Sequence, residues 1–445
     1  MLRRCLFIAG ALLLSASMWI WVQAIVVPYQ QKEAVARNKP RGNLSDLYPR
    51  WLGARELLLH HRDPYRADVT REIQIGYYGR ALDPTRPDDP KDQQGFAYPV
   101  YVVLFLAPTV TLPFATVHRM AFWMLAALTA LSVPLWLRTL EWRVSHTEVV
   151  GWILLTLSSF PSIQGLKLQQ LTLLVAVVMV GSMYALAGRH YVSAGVLLAI
   201  ATIKPQLAFL MVLWLCIWVL GNWHERQRLL WSFSISMLLL VVAGELLLPG
   251  WIAEFRVALK DYYRYTGGGL SVMDVTFSPT AGKIASAILF LLLLFWAWRN
   301  RSCSQETPVF RWSICFTLAT TLLIIPTYAV YNQLLLLPGV MMAVRMGNQL
   351  WQRSRFYRFF CLVTGSAVLW PFLSAACLVM ALAFLPGTTV QKAWGLPAFY
   401  PSFAIPITVY ALLLVSKDIL TDKDQIGSAS AKGYVLPADF APGRR

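Results

Sequence analysis

The chain has 445 residues, 57% of them hydrophobic and 14% charged, with a mean hydropathy of +0.54. That leaves too little polar surface for a soluble fold of this size, so the composition indicates an integral membrane protein. The formal charge of +17 is not a nucleic-acid signal, because the 39 Lys and Arg are scattered through short loops between apolar runs, where they act as topology determinants.

Arg3 and Arg4 precede an apolar stretch that ends near Val27. Cleavage after Ala24 would make it a signal peptide. Its length, and Trp19 and Trp21 near its far end, favour an uncleaved first transmembrane helix over residues 1–27. A mostly polar segment, 28–97, follows and is expected to be an exoplasmic loop with interfacial helices. Further apolar stretches lie at 98–114, 117–138, 149–165, 170–187, 192–204, 206–221, 230–248, 284–298, 312–326, 333–345, 358–384 and 402–416. The basic loops around Arg138, Arg143, Arg189, Arg226, Arg228, Arg299, Arg301, Arg311 and 345–358, with the tail from Lys417, belong in the cytoplasm by the positive-inside rule. Satisfying all of them needs an even number of crossings. The stretch that gives way is 98–114, which is short and contains Pro99, Pro108 and Pro113, as a broken or re-entrant helix would.

The expected architecture is therefore an all-α polytopic membrane protein with about twelve transmembrane helices and both termini inside. A helical bundle occupies 98–416, and a cytoplasmic, disordered tail occupies 417–445. Segments 164–170, 204–206, 248–283, 326–333 and 385–401 fall on the exoplasmic side. With the first loop they hold most polar side chains outside the basic anchors, which implies a polar cavity at the outer face.

Asp46 lies in Asp46-Leu47-Tyr48-Pro49-Arg50-Trp51. A carboxylate beside such a cavity can take the proton of an attacking hydroxyl, and Arg50 one helical turn later is placed to pair with it. Equally, Asp46 can cap a helix beginning at Leu47, with Pro49 in its first turn. His60 and His61 can contact a phosphate or a sugar, or simply end a helix before the turn at Asp63-Pro64. Lys204, in Ile203-Lys204-Pro205-Gln206, ends one apolar run just as the next begins. It either neutralises a phosphate at a cavity wall or snorkels to the headgroups. Gln169 and Gln170, at the mouth of an apolar run, suit sugar hydroxyls or helix ends. Tyr328, Tyr331 and Asn332 suit a sugar or an interfacial aromatic belt. Asp261 through Gly269 reads as a flexible substrate-side loop.

Walker, dinucleotide-binding, HExxH and Gly-x-Ser-x-Gly motifs are missing, and Asp88-Asp89 reads as a solvated turn in a Pro-rich loop. A cytosolic nucleotide donor is poorly supported, and a lipid-linked donor fits better. Cys5, Cys216, Cys303, Cys315, Cys361 and Cys377 show no paired spacing, so neither a disulfide framework nor a metal site is expected.

Taken in order, Asp46 to Ala54 with Asp63-Pro64-Tyr65, Tyr98-Pro99, Ala107-Pro108, Leu112-Pro113-Phe114, Gln169 to Leu174, Ala194-Gly195, Ile203 to Gln206 and Pro326 to Pro338 resemble glycosyltransferase family 87. These polytopic enzymes of the GT-C type include the phosphatidylinositol-mannoside mannosyltransferases. The resemblance implies an inverting transfer of a sugar, mannose by analogy, from a polyprenyl phosphate to a lipid or glycan acceptor. It places the active site on the exoplasmic face of the inner (plasma) membrane, with the bilayer as partner and no nucleic acid. It makes Asp46 the catalytic base. Arg50, His60, His61, Gln169, Gln170, Lys204, Gln206, Tyr328, Tyr331 and Asn332 become candidates for binding donor phosphate or substrate. Such a reaction needs binding, alignment and one base, so no cofactor and no metal are expected. The chain departs from relatives that carry His or Asp at 326–333. A transporter or flippase for a lipid-linked glycan is the reading from another class, with the first loop as its gate, and a silent envelope-glycan scaffold is a third.

Overall fold

A computed structural model describes residues 2–36, 45–83, 85–86, 88–265, 269–326, 328–399 and 401–422. Apolar backbone in a bilayer must satisfy its N–H and C=O groups internally. The structure is accordingly 79% helical, with no strand among the described residues. Six helices are long and apolar enough to cross a membrane: Arg4–Ala36, Phe114–Thr139, Trp223–Leu247, Pro279–Arg299, Arg355–Ala381 and Gly387–Val415. A seventh span is possible as the pair His146–Ser158 and Phe160–Leu168, bent by 58°. The bend falls at Ser159, whose backbone is extended, and Pro161 sits in the first turn of the second helix, where its missing N–H needs no partner.

The number of full-length spans is thus smaller than the number of apolar stretches. Thr172–Ala187, Tyr191–Ala201, Pro205–Leu220 and Pro308–Ile324 are apolar but short. An 11-residue helix such as Tyr191–Ala201 rises only about 16 Å, well below the roughly 30 Å of a hydrocarbon core. Residues 98–114 hold a five-residue helix, Val102–Leu106, and a 3-10 turn, Ala107–Thr109. The stretch 333–345 is divided between a 3-10 helix, Val330–Leu336, and a nine-residue helix, Leu337–Arg345.

Two other sequence expectations change. The first helix does not stop at Val27; it passes through a π-helical stretch, Trp21–Val26, and continues to Ala36. Its polar extension is held by tertiary contacts that hydropathy does not register. Lys167 Nζ donates to Gln30 Oε1 at 2.9 Å, and Tyr29 stacks on Trp394 with ring centroids 5.4 Å apart. The described part of the 248–283 segment is largely helical, as Trp251–Tyr265 and Val272–Thr276, rather than a loop; residues 266–268 of the expected 261–269 loop lie outside the described residues. Ser271 caps the shorter helix reciprocally with Asp274. In the first loop, Leu47–His60 packs against Ala67–Tyr78, and Asp89 pairs with Arg80, which holds its carboxyl down at about 2. The tail helix Lys417–Thr421 is described, and residues 423–445 lie outside the described residues.

The core is organised around Pro308–Ile324, of which nearly every residue is buried. Trp312 stacks on Phe316 and Phe316 on Tyr410, with centroids 4.6 and 4.9 Å apart. Thr320 and Thr321 are tolerated there because each hydroxyl donates to the carbonyl four residues back, at 2.8 Å. The C-terminal end of this helix leads toward Val330–Leu336, whose Tyr331 and Asn332 help wall the cavity described next.

Candidate active site

The breaks between the short helices deliver polar side chains into the protein interior. Phe160–Leu168 ends at Gln169, whose backbone adopts the left-handed conformation (φ 52°, ψ 47°). The turn is closed by Gln170 N–H donating to Gly165 O at 2.8 Å. The Gln169 side chain fixes this corner: Ser45 Oγ donates to its Oε1 at 2.5 Å, and its Nε2 donates to the main-chain oxygen of His118. Asp46 N–H donates to Leu168 O at 2.8 Å, so the start of Leu47–His60 is docked on the end of Phe160–Leu168.

Asp46 occupies the position preceding Leu47–His60, yet its side chain makes no capping bond to that helix. Its Oδ2 accepts instead from Gln170 Nε2. Gln170 Oε1 in turn accepts from Lys204 Nζ at 2.7 Å, and the same ammonium donates to Thr172 Oγ1 at 2.7 Å. The Thr172 hydroxyl in turn donates to Asn332 Oδ1 at 3.1 Å. One primary amide therefore separates a carboxylate from a buried ammonium, and its two ends are oriented by opposite charges. Lys204 sits where Tyr191–Ala201 has ended and Pro205 begins the next helix. Its ammonium is 5.1 Å from the Tyr331 ring centroid and 5.7 Å from that of Tyr98. At 6% exposed it does not snorkel to a headgroup.

Arg50 Nη1 donates to the main-chain oxygen of Asp46 at 2.6 Å, and the guanidinium lies 4.7 Å from the Tyr98 ring centroid. Its Nε is buried without a hydrogen-bond partner. A buried N–H left in this way suits an incoming anionic oxygen. These groups line a cavity of about 510 Å³, large enough for a sugar phosphate. Its second carboxylate, Asp92, is held by Gln94, whose N–H and Nε2 donate to Oδ1 and Oδ2 at 2.9 Å each. Burial pushes the Asp92 carboxyl above its usual value, and burial pushes the Tyr98 and Tyr262 phenols up to about 12.

Of the residues singled out in the sequence, Asp46, Arg50, Gln170, Lys204, Gln206, Tyr331 and Asn332 line this cavity. Gln169 stands behind it, as a positioning group. Tyr328 is turned away: its hydroxyl accepts from Gln333 Nε2 and its ring packs on Phe403 at 5.4 Å. His60 and His61 end Leu47–His60 on an exposed surface, His61 in the left-handed conformation and His60 Nδ1 3.1 Å from Glu56 Oε2. There they belong to a surface ion-pair group in which Arg62 bridges Glu56, Asp68 and Glu72.

Asp92, Gln94, Tyr98, Tyr262 and Tyr265 are further polar residues of the lining. Tyr262 and Tyr265 come from the amphipathic helix Trp251–Tyr265. Its apolar residues Trp251, Phe255 and Tyr262 recur at helical spacing, which is the signal that could have found it. No comparable local signal marks Asp92.

A sequence model described as "Glycosyltransferase family 87" matches residues 96–326, just over half of the chain. The matched span contains Tyr98, Gln170, Lys204 and Tyr262, whereas Asp46, Arg50, Asp92 and Asn332 lie outside it. No curated protein and no solved structure matches the chain.

Proposed function

Since the chain belongs to glycosyltransferase family 87, we propose that its cavity transfers one sugar, mannose, from a polyprenyl phosphate to a lipid or glycan acceptor on the exoplasmic side of the inner membrane. The observation that carries this reading is the Asp46–Gln170–Lys204 arrangement, a potential base and a buried cation held apart by one amide. An acceptor hydroxyl gives its proton to the Asp46 carboxylate as its oxygen bonds to the anomeric carbon. The bond from that carbon to the phosphate oxygen breaks on the opposite face, so the configuration inverts and polyprenyl phosphate leaves. Lys204, with the Arg50 guanidinium, faces the negative charge that collects on the departing phosphate. Tyr98, Tyr262 and Tyr331 offer ring faces to the sugar, and Asp92, Gln206 and Asn332 offer acceptors or donors to its hydroxyls.

The same reading places about twelve crossings in the bilayer, with the shorter apolar segments crossing individually, 98–114 staying at the exoplasmic face and both termini in the cytoplasm. The glycosyltransferase family match favours transfer over a transporter role.

The test is sugar transfer by the purified protein in nanodiscs, supplied with radiolabelled polyprenyl-phosphate mannose and a membrane lipid extract. Asp46→Asn keeps the shape and an acceptor for Gln170 but removes the base. Transfer is expected to fall by a factor on the order of 10²–10⁴ with unchanged elution and unfolding temperature. Equal transfer by the folded variant would take Asp46 out of the mechanism.

A further inference from the structure

The helix Trp251–Tyr265 carries two faces with different tasks. Trp251, Phe255 and Tyr262 point inward: the Trp251 and Phe255 rings are 6.2 Å apart, and Phe255 and Tyr262 line the cavity that holds Asp46 and Lys204. On the adjacent face Arg256, Lys260 and Arg264 recur every fourth residue, so three exposed cations form one row along the helix. Arg264 pairs with Asp261 at 3.1 Å, whereas Arg256 and Lys260 form no ion pair among the described residues.

This row borders a second space, a shallow open groove of about 560 Å³ lined by Arg256, Leu259, Lys260, Tyr263 and Arg264. Leu259 and Tyr263 also wall the first cavity. The two spaces are therefore neighbours across a pair of side chains. Ile252 and Val257, on the same helix, are exposed apolar residues. A helix with one apolar face, one basic face and exposed aliphatic residues is suited to lie in the plane of a membrane interface, with its cations near the lipid phosphates.

We propose that the basic row of Trp251–Tyr265 is the docking lane for the phosphate of the lipid-linked donor, which rests against Arg256, Lys260 and Arg264 before it passes Leu259 and Tyr263 to reach Lys204. The proposal rests on the polyprenyl-phosphate reading above. Charge complementarity selects a phosphate, and continuity with the Asp46 cavity selects the donor over bulk anionic phospholipid. A row that served only to hold the protein on an anionic surface would have no reason to share two walls with the substrate cavity. The lipid tail stays in the bilayer while the charged head moves along the interface, so the phosphate is never transferred into hydrocarbon without a cation beside it.

The test compares the full-length wild type with R256Q/K260Q/R264Q, and with K260Q alone in case the triple variant does not fold. Both are reconstituted in nanodiscs of neutral phosphatidylcholine and in nanodiscs that also contain phosphatidylglycerol. Initial rates are measured against the mole fraction of polyprenyl-phosphate mannose. The expected result in neutral nanodiscs is a KM about tenfold higher for the triple variant, roughly 1.4 kcal/mol, with kcat at saturating donor within about twofold. Added salt should raise the wild-type KM and move that of the triple variant less. Binding of the free polyprenyl phosphate, followed by native mass spectrometry, should weaken in parallel. Equal KM values and equal binding would overturn the proposal, as would a defect confined to phosphatidylglycerol nanodiscs, which would assign the row to bulk lipid. If wild type binds polyprenyl phosphate through the row yet transfers nothing from it, the docking lane stands and the donor reading fails.

Discussion

Replacing Lys204 by Met separates a catalytic role for the buried ammonium from a structural one. The wild-type Nζ makes two bonds of 2.7 Å, to Gln170 Oε1 and Thr172 Oγ1. Charge-assisted bonds contribute roughly 1.5–3 kcal/mol each. Against that loss stands the desolvation of a buried ammonium, several kcal/mol, which the variant no longer bears. Methionine fills much of the same volume, and Thr172 keeps Asn332 as a partner. The remaining penalty is the unpaired Gln170 Oε1, about 1–3 kcal/mol, so a folded protein with a modestly lowered unfolding temperature is expected. Loss of a preorganised donor to a departing oxyanion has a different scale, about 10²–10³ in kcat, or about 2.7–4 kcal/mol. The assay is transfer from polyprenyl-phosphate mannose in nanodiscs, with unfolding followed by intrinsic tryptophan fluorescence on the same samples. Thr172→Val is the companion: it removes one bond to the ammonium while keeping the charge, and should cost only about tenfold. A folded Lys204→Met enzyme that retains kcat within about threefold would refute the assignment of Lys204 to the leaving phosphate.

Changes elsewhere should behave differently. His60→Ala and His61→Ala, on the exposed end of Leu47–His60, should leave transfer within about twofold; a larger loss in kcat would place these histidines on a substrate after all. Gly195→Ala should destabilise by roughly 1–3 kcal/mol. The new methyl would overlap Ser232 Oγ and lie 2.5 Å from Leu229 O and 2.8 Å from Phe233 N, where Tyr191–Ala201 crosses Trp223–Leu247; an unchanged unfolding temperature would show that the two helices are not so closely packed. Asp92 supplies a pH dependence. Burial raises its carboxyl above the ordinary 3.8, so its contribution to stability is present at low pH and lost as pH rises through that raised value. The stability of Asp92→Asn relative to wild type should therefore increase between about pH 4 and pH 7 in detergent unfolding experiments, and the opposite slope would contradict the buried placement.

Sequence by itself determined the class of this protein. The density of apolar residues compels internal backbone hydrogen bonding, hence helices, and a basic residue stranded between two apolar runs marks Lys204 as a polar group needing a partner. The order of short motifs was enough for the family resemblance, and Asp46, Gln170 and Lys204, each conspicuous by its local sequence, prove to line one cavity. What it left open was every choice that depends on a distant partner. Local sequence offers Asp46 both as a cap for Leu47–His60 and as a cavity carboxylate; in the structure its side chain makes no capping bond and meets Gln170, 124 residues away. His60 and His61 suit a phosphate or a helix end by local sequence; in the structure they end Leu47–His60 on an exposed surface, outside the cavity lining. Asp92, an ordinary loop acid by its neighbours, becomes a cavity wall because the first loop folds over Trp251–Tyr265. Hydropathy averages side chains along the chain, so it finds apolar stretches, but it cannot measure helix length where Tyr191–Ala201 stops short of Pro205 or a left-handed Gln169 ends Phe160–Leu168. Those breaks are set by tertiary packing, and they are what bring the polar groups together.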